Sequence, residues 1–103
     1  MEKILIIDDE QVNRVVLRQV LGKEGYQIVE AEDGHSGLKV VREQNPDLVL
    51  TDFRMPGMNG LEVLAEIQKI NPHLPVIVLT AFGDVALTIK SIQVGAFYYI
   101  EKP

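Results

Sequence analysis

The sequence predicts a single α/β domain, in which five parallel strands form a doubly wound sheet with helices on both faces. Continuous runs of aliphatic residues alternate along the chain with segments whose apolar residues recur at the helical period. The 103 residues contain no repeat or internal linker, and a hydrophobic content of 47% is enough for one compact core. Because strands that alternate with helices form right-handed βαβ units, the pattern indicates a parallel sheet.

The first strand is KILII, residues 3–7, a continuous run typical of a strand buried on both faces. A helix follows with Val12, Val15, Val16 and Val20 on one side, and it ends at the glycines of GKEG, residues 22–25. The same alternation predicts the later elements, which are strand YQIVEA at 26–31, helix 36–44, strand DLVLT at 47–51, helix 61–70, strand PVIVLT at 75–80, helix 85–94 and strand AFYYI at 96–100.

The composition argues against several classes of function. A net charge of −5 and a pI near 4.9, with ten scattered lysine and arginine residues, disfavour direct contact with nucleic acid or an anionic membrane. The chain has no cysteine, which excludes disulfides, a thiolate nucleophile and cysteine-ligated zinc. No apolar run has the length of a signal peptide or a membrane span, so we expect a cytoplasmic protein.

Polar and charged residues collect where the predicted strands end. In the flavodoxin-like strand order 2-1-3-4-5, the first and third strands are neighbours at the point where the order reverses, and ligands bind at the carboxyl ends of the strands there. We therefore expect the acids after these two strands to converge. The residues at the strand ends are Asp8, Asp9, Glu10, Asp52, Thr80 and Lys102.

Carboxylates that converge in this way repel one another. Two unit charges ~4 Å apart interact by roughly 4 kcal/mol at an effective dielectric constant of about 20, so a bound cation is expected to balance them. Oxygen ligands alone favour Mg²⁺, which keeps several water molecules and commonly shares its shell with phosphate. His35 and His73 are not arranged as ligands, and we expect both on the surface.

A carboxylate at such a site is also a nucleophile toward phosphorus. It forms an aspartyl phosphate when the charge on the phosphoryl oxygens is balanced in the transition state. Mg²⁺ can neutralise one side, the Lys102 ammonium can pair with another oxygen, and the Thr80 hydroxyl can donate to a third. Backbone N–H groups after Asp52 can complete this arrangement.

Four motifs, ILIIDDE, PDLVLTDFRMPGMNG, PVIVLTAFG and GAFYYIEKP, resemble the receiver domain of two-component response regulators over essentially the whole chain. The resemblance implies that Asp52 is the phosphoacceptor. It also implies that Asp9, Asp52 and the backbone carbonyl of Arg54 hold Mg²⁺, with Asp8 acting through water. By the same resemblance, Lys102 and Thr80 contact the phosphoryl group.

The resemblance also implies a switching function. Tyr99 is implied to turn inward when Thr80 moves, so that an effector reads the changed surface of the fourth helix and fifth strand. The implied partners are a sensor histidine kinase or phosphotransfer protein and an effector in the same parent chain or on another protein. TAFGDVALTIKSIQVGAFYYIEKP is similar to receivers of activators that work with the nitrogen-type sigma factor, which indicates transcription control, whereas DDEQVNR is similar to receivers of hybrid kinases.

Alternative interpretations remain open. Any one of the acids after the first strand could merely cap a helix, and Tyr99 could be an ordinary core aromatic. The domain could dock without phosphorylation, although the complete set of acids, Thr80 and Lys102 disfavours this. A phosphohydrolase of the haloacid dehalogenase type needs an acid two positions after its nucleophile, where this chain has Arg54. A flavin-binding module is disfavoured by the acidic first loop. We expect no enzyme activity beyond self-phosphorylation and autodephosphorylation.

A last expectation concerns the end of the sequence. Receivers continue past the Lys-Pro pair into a final helix beside the first, whereas this sequence ends at Pro103. The final helix is therefore expected to be absent from residues 1–103, and the valines of the first helix are expected to be exposed and to favour self-association.

Overall fold

The computed structural model describes residues 2–80 and 98–101, with the backbone alone for Thr80 and residues 98–101. All five strands are parallel and form one sheet in the order β2-β1-β3-β4-β5, which confirms the predicted fold class. The predicted helix at 85–94 lies outside the described residues. The elements are β1 (Lys3–Ile7), α1 (Gln11–Lys23), β2 (Gln27–Ala31), α2 (Gly34–Gln44), β3 (Leu48–Asp52), α3 (Gly60–Ile70), β4 (Val76–Thr80) and β5 (Tyr98–Glu101).

The strand boundaries agree with the predictions to within one or two residues. β1 coincides with its predicted range, and β4 begins after Pro75, which has no N–H for the strand ladder. β3 includes Asp52, which was expected just beyond the strand, because the Phe53 N–H still donates to the Leu79 carbonyl at 2.9 Å. Residues 96 and 97 of the predicted fifth strand lie outside the described residues.

Two helices begin earlier than predicted, because polar side chains cap them. The Asp33 carboxylate accepts a hydrogen bond of 2.8 Å from the Ser36 N–H, so α2 begins at residue 34 rather than 36. Asn59 and Glu62 form a reciprocal capping box that begins α3 at residue 60. Both caps lie at the edge of the sheet where β1 and β3 end.

An apolar layer covers each face of the sheet. On one face, α1 places Leu17 and Leu21 against a small buried cluster of strand residues. On the other face, α2 and α3 pack on the larger core. The small cluster is Ile4, Ile6 and Leu50, and the larger core is Leu5, Ile7, Ala31, Leu38, Val41, Val49, Met55, Val63, Leu64, Ile67, Leu74, Val76 and Val78.

The outer side of α1 is apolar and exposed. Val12, Val15, Val16 and Val20 expose 72%, 41%, 51% and 57% of their surface, as expected from the sequence. Self-association through this face stays a prediction. Among the helices that the structure describes, none has the length and apolar character needed to cross a bilayer.

Candidate functional site

The carboxyl ends of β1 and β3 place three aspartates at one point on the edge of the sheet. Ile7 pairs in register with Thr51, so the following residues of the two segments, Asp8 and Asp52, lie next to each other. One carboxylate oxygen each from Asp8, Asp9 and Asp52 lies within 4.8 Å of the other two. The predicted convergence is confirmed for these three residues, which we call the aspartate cluster.

The aspartate cluster combines buried and open positions. Asp8 and Asp52 are only 1% and 4% exposed, whereas Asp9 lies on the surface. Ionised carboxylates are buried in proteins when they are paired, hydrogen-bonded or bound to a metal. Three carboxylates with one open side suit a hard divalent cation such as Mg²⁺, which takes a few protein oxygens and retains water. The aspartate cluster could therefore bind a metal ion.

Asp8 is held in place by three hydrogen bonds. Its N–H donates to the Ala31 carbonyl of β2 at 3.1 Å, and its Oδ1 accepts from the Glu10 N–H at 2.9 Å. Its carbonyl oxygen accepts from Nη1 of Arg14 on α1 at 2.6 Å. These contacts reach three different parts of the chain, so both the backbone and the carboxylate of Asp8 have a fixed orientation.

Helix capping by its side chain does not account for Glu10, the last of the acids after β1. Glu10 occupies the N-cap position of α1, yet its side chain makes no capping hydrogen bond. Glu10 also lies outside the aspartate cluster. The carboxylate of Asp8 binds the N–H of the N-cap residue itself, which orders the turn before the helix. The alternative that Glu10 caps the first helix through its side chain is therefore wrong.

The N-terminus of α3 packs directly on the end of β3. The Gly60 N–H donates to the Phe53 carbonyl at 2.8 Å, and a Cβ at residue 60 would lie 2.5 Å from the Asp52 carbonyl oxygen. In the intervening loop, the Arg54 guanidinium lies 5.5 Å from the centre of the Phe53 ring. Met55 is buried in the core and anchors this loop.

The remaining predicted site residues are described in part. The backbone of Thr80 ends β4 one residue beyond Leu79, the register partner of Asp52, so Thr80 lies at the same edge of the sheet. In β5, the backbone of Tyr99 pairs in register with Val78 of β4. Lys102 lies outside the described residues. The two histidines, 35 and 73, are exposed, as predicted.

Sequence reasoning missed two residues next to the aspartate cluster. Arg14 of α1 and Glu30 of β2 form an ion pair at 3.3 Å, and Arg14 also binds the Asp8 carbonyl. A charged residue in the otherwise mostly apolar strand QIVEA was the one feature that could have indicated Glu30. Nothing in the helical pattern distinguishes Arg14 from Arg18, one turn later on the same helix.

Comparison with known families shows which family the chain belongs to. Residues 4–103 match the family described as "Response regulator receiver domain". The chain belongs to this family. Receiver domains act in two-component signalling, where they work with histidine kinases or phosphotransfer proteins and with effector domains. The aspartate cluster therefore lies in a signalling module rather than in a conventional enzyme.

Two curated relatives illustrate the range of proteins that contain this domain. The receiver domain is 41% identical over 102 residues to sporulation initiation phosphotransferase F of Bacillus subtilis, covering 99% of this chain and 82% of the relative. It is also 41% identical over 100 residues to the transcriptional regulatory protein GlrR of Escherichia coli, covering 97% of this chain. In GlrR the matched segment is only 22% of the protein.

Solved structures confirm the fold. A response regulator receiver domain protein from Clostridium thermocellum has a TM-score of 0.95 at 38% identity, covering 100% of this chain and 83% of that one. The receiver domain of NtrX from Brucella abortus has a TM-score of 0.91 at 35% identity, covering 97% and 85%.

Proposed function

We propose that this receiver domain is a phosphorylation-dependent switch in which the Asp52 carboxylate accepts a phosphoryl group. The observation that supports it most strongly is the convergence of Asp8, Asp9 and Asp52 within 4.8 Å, two of them buried, at the carboxyl edge of the sheet. A sensor histidine kinase or a phosphotransfer protein supplies the phosphoryl group from a phosphorylated histidine.

In the transfer step, a carboxylate oxygen of Asp52 attacks the phosphorus atom of the donor. A bond forms between this oxygen and phosphorus, the bond from phosphorus to the imidazole nitrogen breaks, and its electron pair remains on that nitrogen. Lys102 pairs with one phosphoryl oxygen and the Thr80 hydroxyl donates to another. Because the protein contributes little further covalent chemistry to phosphoryl transfer, most of the catalysis comes from positioning the reactants and balancing the charge on the phosphoryl group.

The aspartate cluster has a second function in this proposal. Asp9, Asp52 and the backbone carbonyl of Arg54 would hold Mg²⁺, and Asp8 would contribute through a water molecule. When bound, the ion neutralises negative charge on the phosphoryl oxygens. The hydrogen bonds that fix Asp8 keep its carboxylate beside Asp52 before the donor arrives. The open position of Asp9 leaves room for water and for the incoming phosphoryl group.

Phosphorylation then changes the surface that an effector recognises. Thr80 moves toward the phosphoryl group, Tyr99 turns inward, and the surface formed by the fourth helix and β5 changes. The effector lies in the same parent chain or on a partner protein. Transcription control is the output we favour, because several relatives are transcriptional regulatory proteins in which the receiver is about a fifth of the length.

The experiment that tests the proposal is incubation with acetyl phosphate, with Mg²⁺ or with EDTA, followed by intact mass measurement. We expect one added phosphoryl group in the presence of Mg²⁺ and little in EDTA. Asp52→Asn should gain none, whereas Glu43→Gln, on the exposed side of α2, should react like the parent. Circular dichroism establishes that each variant is folded.

The competing functions give different outcomes. Folded parent protein that never gains phosphate would contradict the switch and favour a docking module. Continuous release of phosphate from p-nitrophenyl phosphate would favour a phosphohydrolase, which we do not expect because Arg54 stands where such enzymes need an acid. Equal phosphorylation of Asp52→Asn would refute the choice of nucleophile.

A further inference from the structure

Arg14 connects three segments of the chain beside the aspartate cluster. It belongs to α1, and its side chain is only 15% exposed. Its Nη1 donates to the Asp8 carbonyl at 2.6 Å, while its Nε lies 3.3 Å from Oε1 of Glu30 in β2. The guanidinium therefore links the turn after β1 to the neighbouring strand. A rigid planar group with several donors suits such a bridge better than a lysine.

Glu30 binds two arginines, only one of which reaches the site. Its Oε1 faces Arg14, and its Oε2 accepts from Nη1 of Arg18 at 2.8 Å. Arg18 is 64% exposed, so its ion pair with Glu30 is expected to contribute little to stability. The two arginines are one turn apart on the same helix and share one carboxylate, which makes Arg18 a matched control for Arg14.

We propose that Arg14 is a positioning residue for the aspartate cluster and that Glu30 holds the Arg14 guanidinium in place. This inference rests on the proposed function of the cluster. The Asp8 carbonyl belongs to the peptide group that joins Asp8 to Asp9. Because a peptide group is planar, fixing its oxygen also fixes the direction of the Asp9 N–H and limits the orientation of both residues.

The carbonyl bond from Arg14 completes the restraint on this turn. The Asp8 N–H is bonded to Ala31, next to Glu30 in β2, and the Asp8 carboxylate is bonded to the Glu10 N–H. Without Arg14, the peptide between Asp8 and Asp9 can rotate, and repulsion among the carboxylates then favours their separation. The cluster would bind a divalent cation less tightly, because its oxygens would have to be brought together first.

The test compares Arg14→Met, Arg14→Lys, Glu30→Ala and Arg18→Met. The Mg²⁺ dissociation constant is measured from amide NMR shifts, and the hydrogen-exchange rates of the Asp9 and Glu10 amides are measured in metal-free protein. Removing a partner that orients a metal ligand typically weakens metal affinity about 10- to 100-fold. We expect such a loss for Arg14→Met, with partial rescue in Arg14→Lys, and a change of less than about twofold for Arg18→Met.

The metal-free measurement separates this inference from the proposed function. If the parent does not bind Mg²⁺, the proposed function fails, yet faster exchange of the Asp9 and Glu10 amides in Arg14→Met alone would still support the positioning effect. Unchanged exchange and affinity in Arg14→Met would overturn it, as would equal losses in Arg18→Met. Should Arg14→Met not fold, Glu30→Ala is decisive, because it removes the carboxylate that holds the guanidinium, and parent-like affinity and exchange in that variant would refute the proposal.

Discussion

Gly60→Ala tests whether the close packing of α3 on β3 is required for stability and for the position of Asp52. The added Cβ would lie 2.5 Å from the Asp52 carbonyl oxygen and 2.9 Å from Cα of Phe53, both backbone atoms. Ordinary van der Waals contact begins at 3.4 Å, so the helix terminus must move by nearly 1 Å relative to the strand. The Gly60 N–H bond to the Phe53 carbonyl would weaken in the same movement.

The expected loss in the free energy of unfolding is large for a domain of this size. Overpacking costs about 1–3 kcal/mol, and backbone atoms cannot rotate away as a side chain can, so we expect the upper part of that range. The total free energy of unfolding of such a domain is about 5–15 kcal/mol. Because the displaced carbonyl belongs to Asp52 itself, phosphorylation by acetyl phosphate should also slow in the folded variant.

Urea unfolding followed by circular dichroism measures the change, since the chain has no tryptophan. Gly22→Ala is the matched control, because its Cβ would meet nothing within 4 Å inside α1. That control should be at least as stable as the parent, with a gain of at most about 0.5–1 kcal/mol, because Gly22 lies near the end of the helix. If Gly60→Ala were as stable as Gly22→Ala, the packing argument would be refuted.

Two further predictions concern the helix caps. The hydrogen bond from the Ser36 N–H lowers the pKa of Asp33 below its ordinary value of 3.8, so the ionised carboxylate stabilises the folded protein. This contribution is present above pH 3.8 and is lost as the pH falls through the lowered pKa. Asp33→Ala should therefore lower the free energy of unfolding, measured with urea, by about 1 kcal/mol at pH 7 and by less in strong acid. A loss of stability that does not change with pH would contradict this. Asn59→Ala should lower the free energy of unfolding by about 1–2 kcal/mol, because the Glu62 N–H loses its acceptor. Glu62→Gln should lower it by less, because the glutamine still offers an acceptor to the Asn59 N–H. Equal costs for these two variants would contradict the capping assignment.

The sheet and the aspartate cluster could be predicted from the sequence because both depend on short-range patterns. A continuous aliphatic strand such as β1 is distinctive, and the order 2-1-3-4-5 makes β1 and β3 neighbours, which brings Asp8 and Asp52 together. The sequence pattern did not indicate the start of α2 because Gly34 is a poor helix former. The lack of a Cβ at Gly34 and Gly37 instead allows close packing, of Gly34 against Val63 and of Gly37 against Ile7 of β1.

The network around Arg14 could not be predicted, for a different reason. Its contact with Glu30 depends on the packing of α1 on β2, which brings residues 14 and 30 together. Its contact with Asp8 is made to a backbone carbonyl, which every residue has, so no residue type in the sequence indicates it. Sequence periodicity indicates which side of a helix is apolar, but not which polar side chain bends over the turn before it. Only the arrangement of the three segments in space reveals this bridge.

The most direct test of the central claim locates the phosphoryl group in the chain. Protein phosphorylated with acetyl phosphate and Mg²⁺ is reduced with borohydride, which converts an aspartyl phosphate to homoserine, and peptides are sequenced by mass spectrometry. We predict homoserine at residue 52 and unmodified Asp8 and Asp9. Homoserine at either of those two positions, or its absence from protein that has gained a phosphoryl group, would contradict the assignment of Asp52 as the phosphoacceptor.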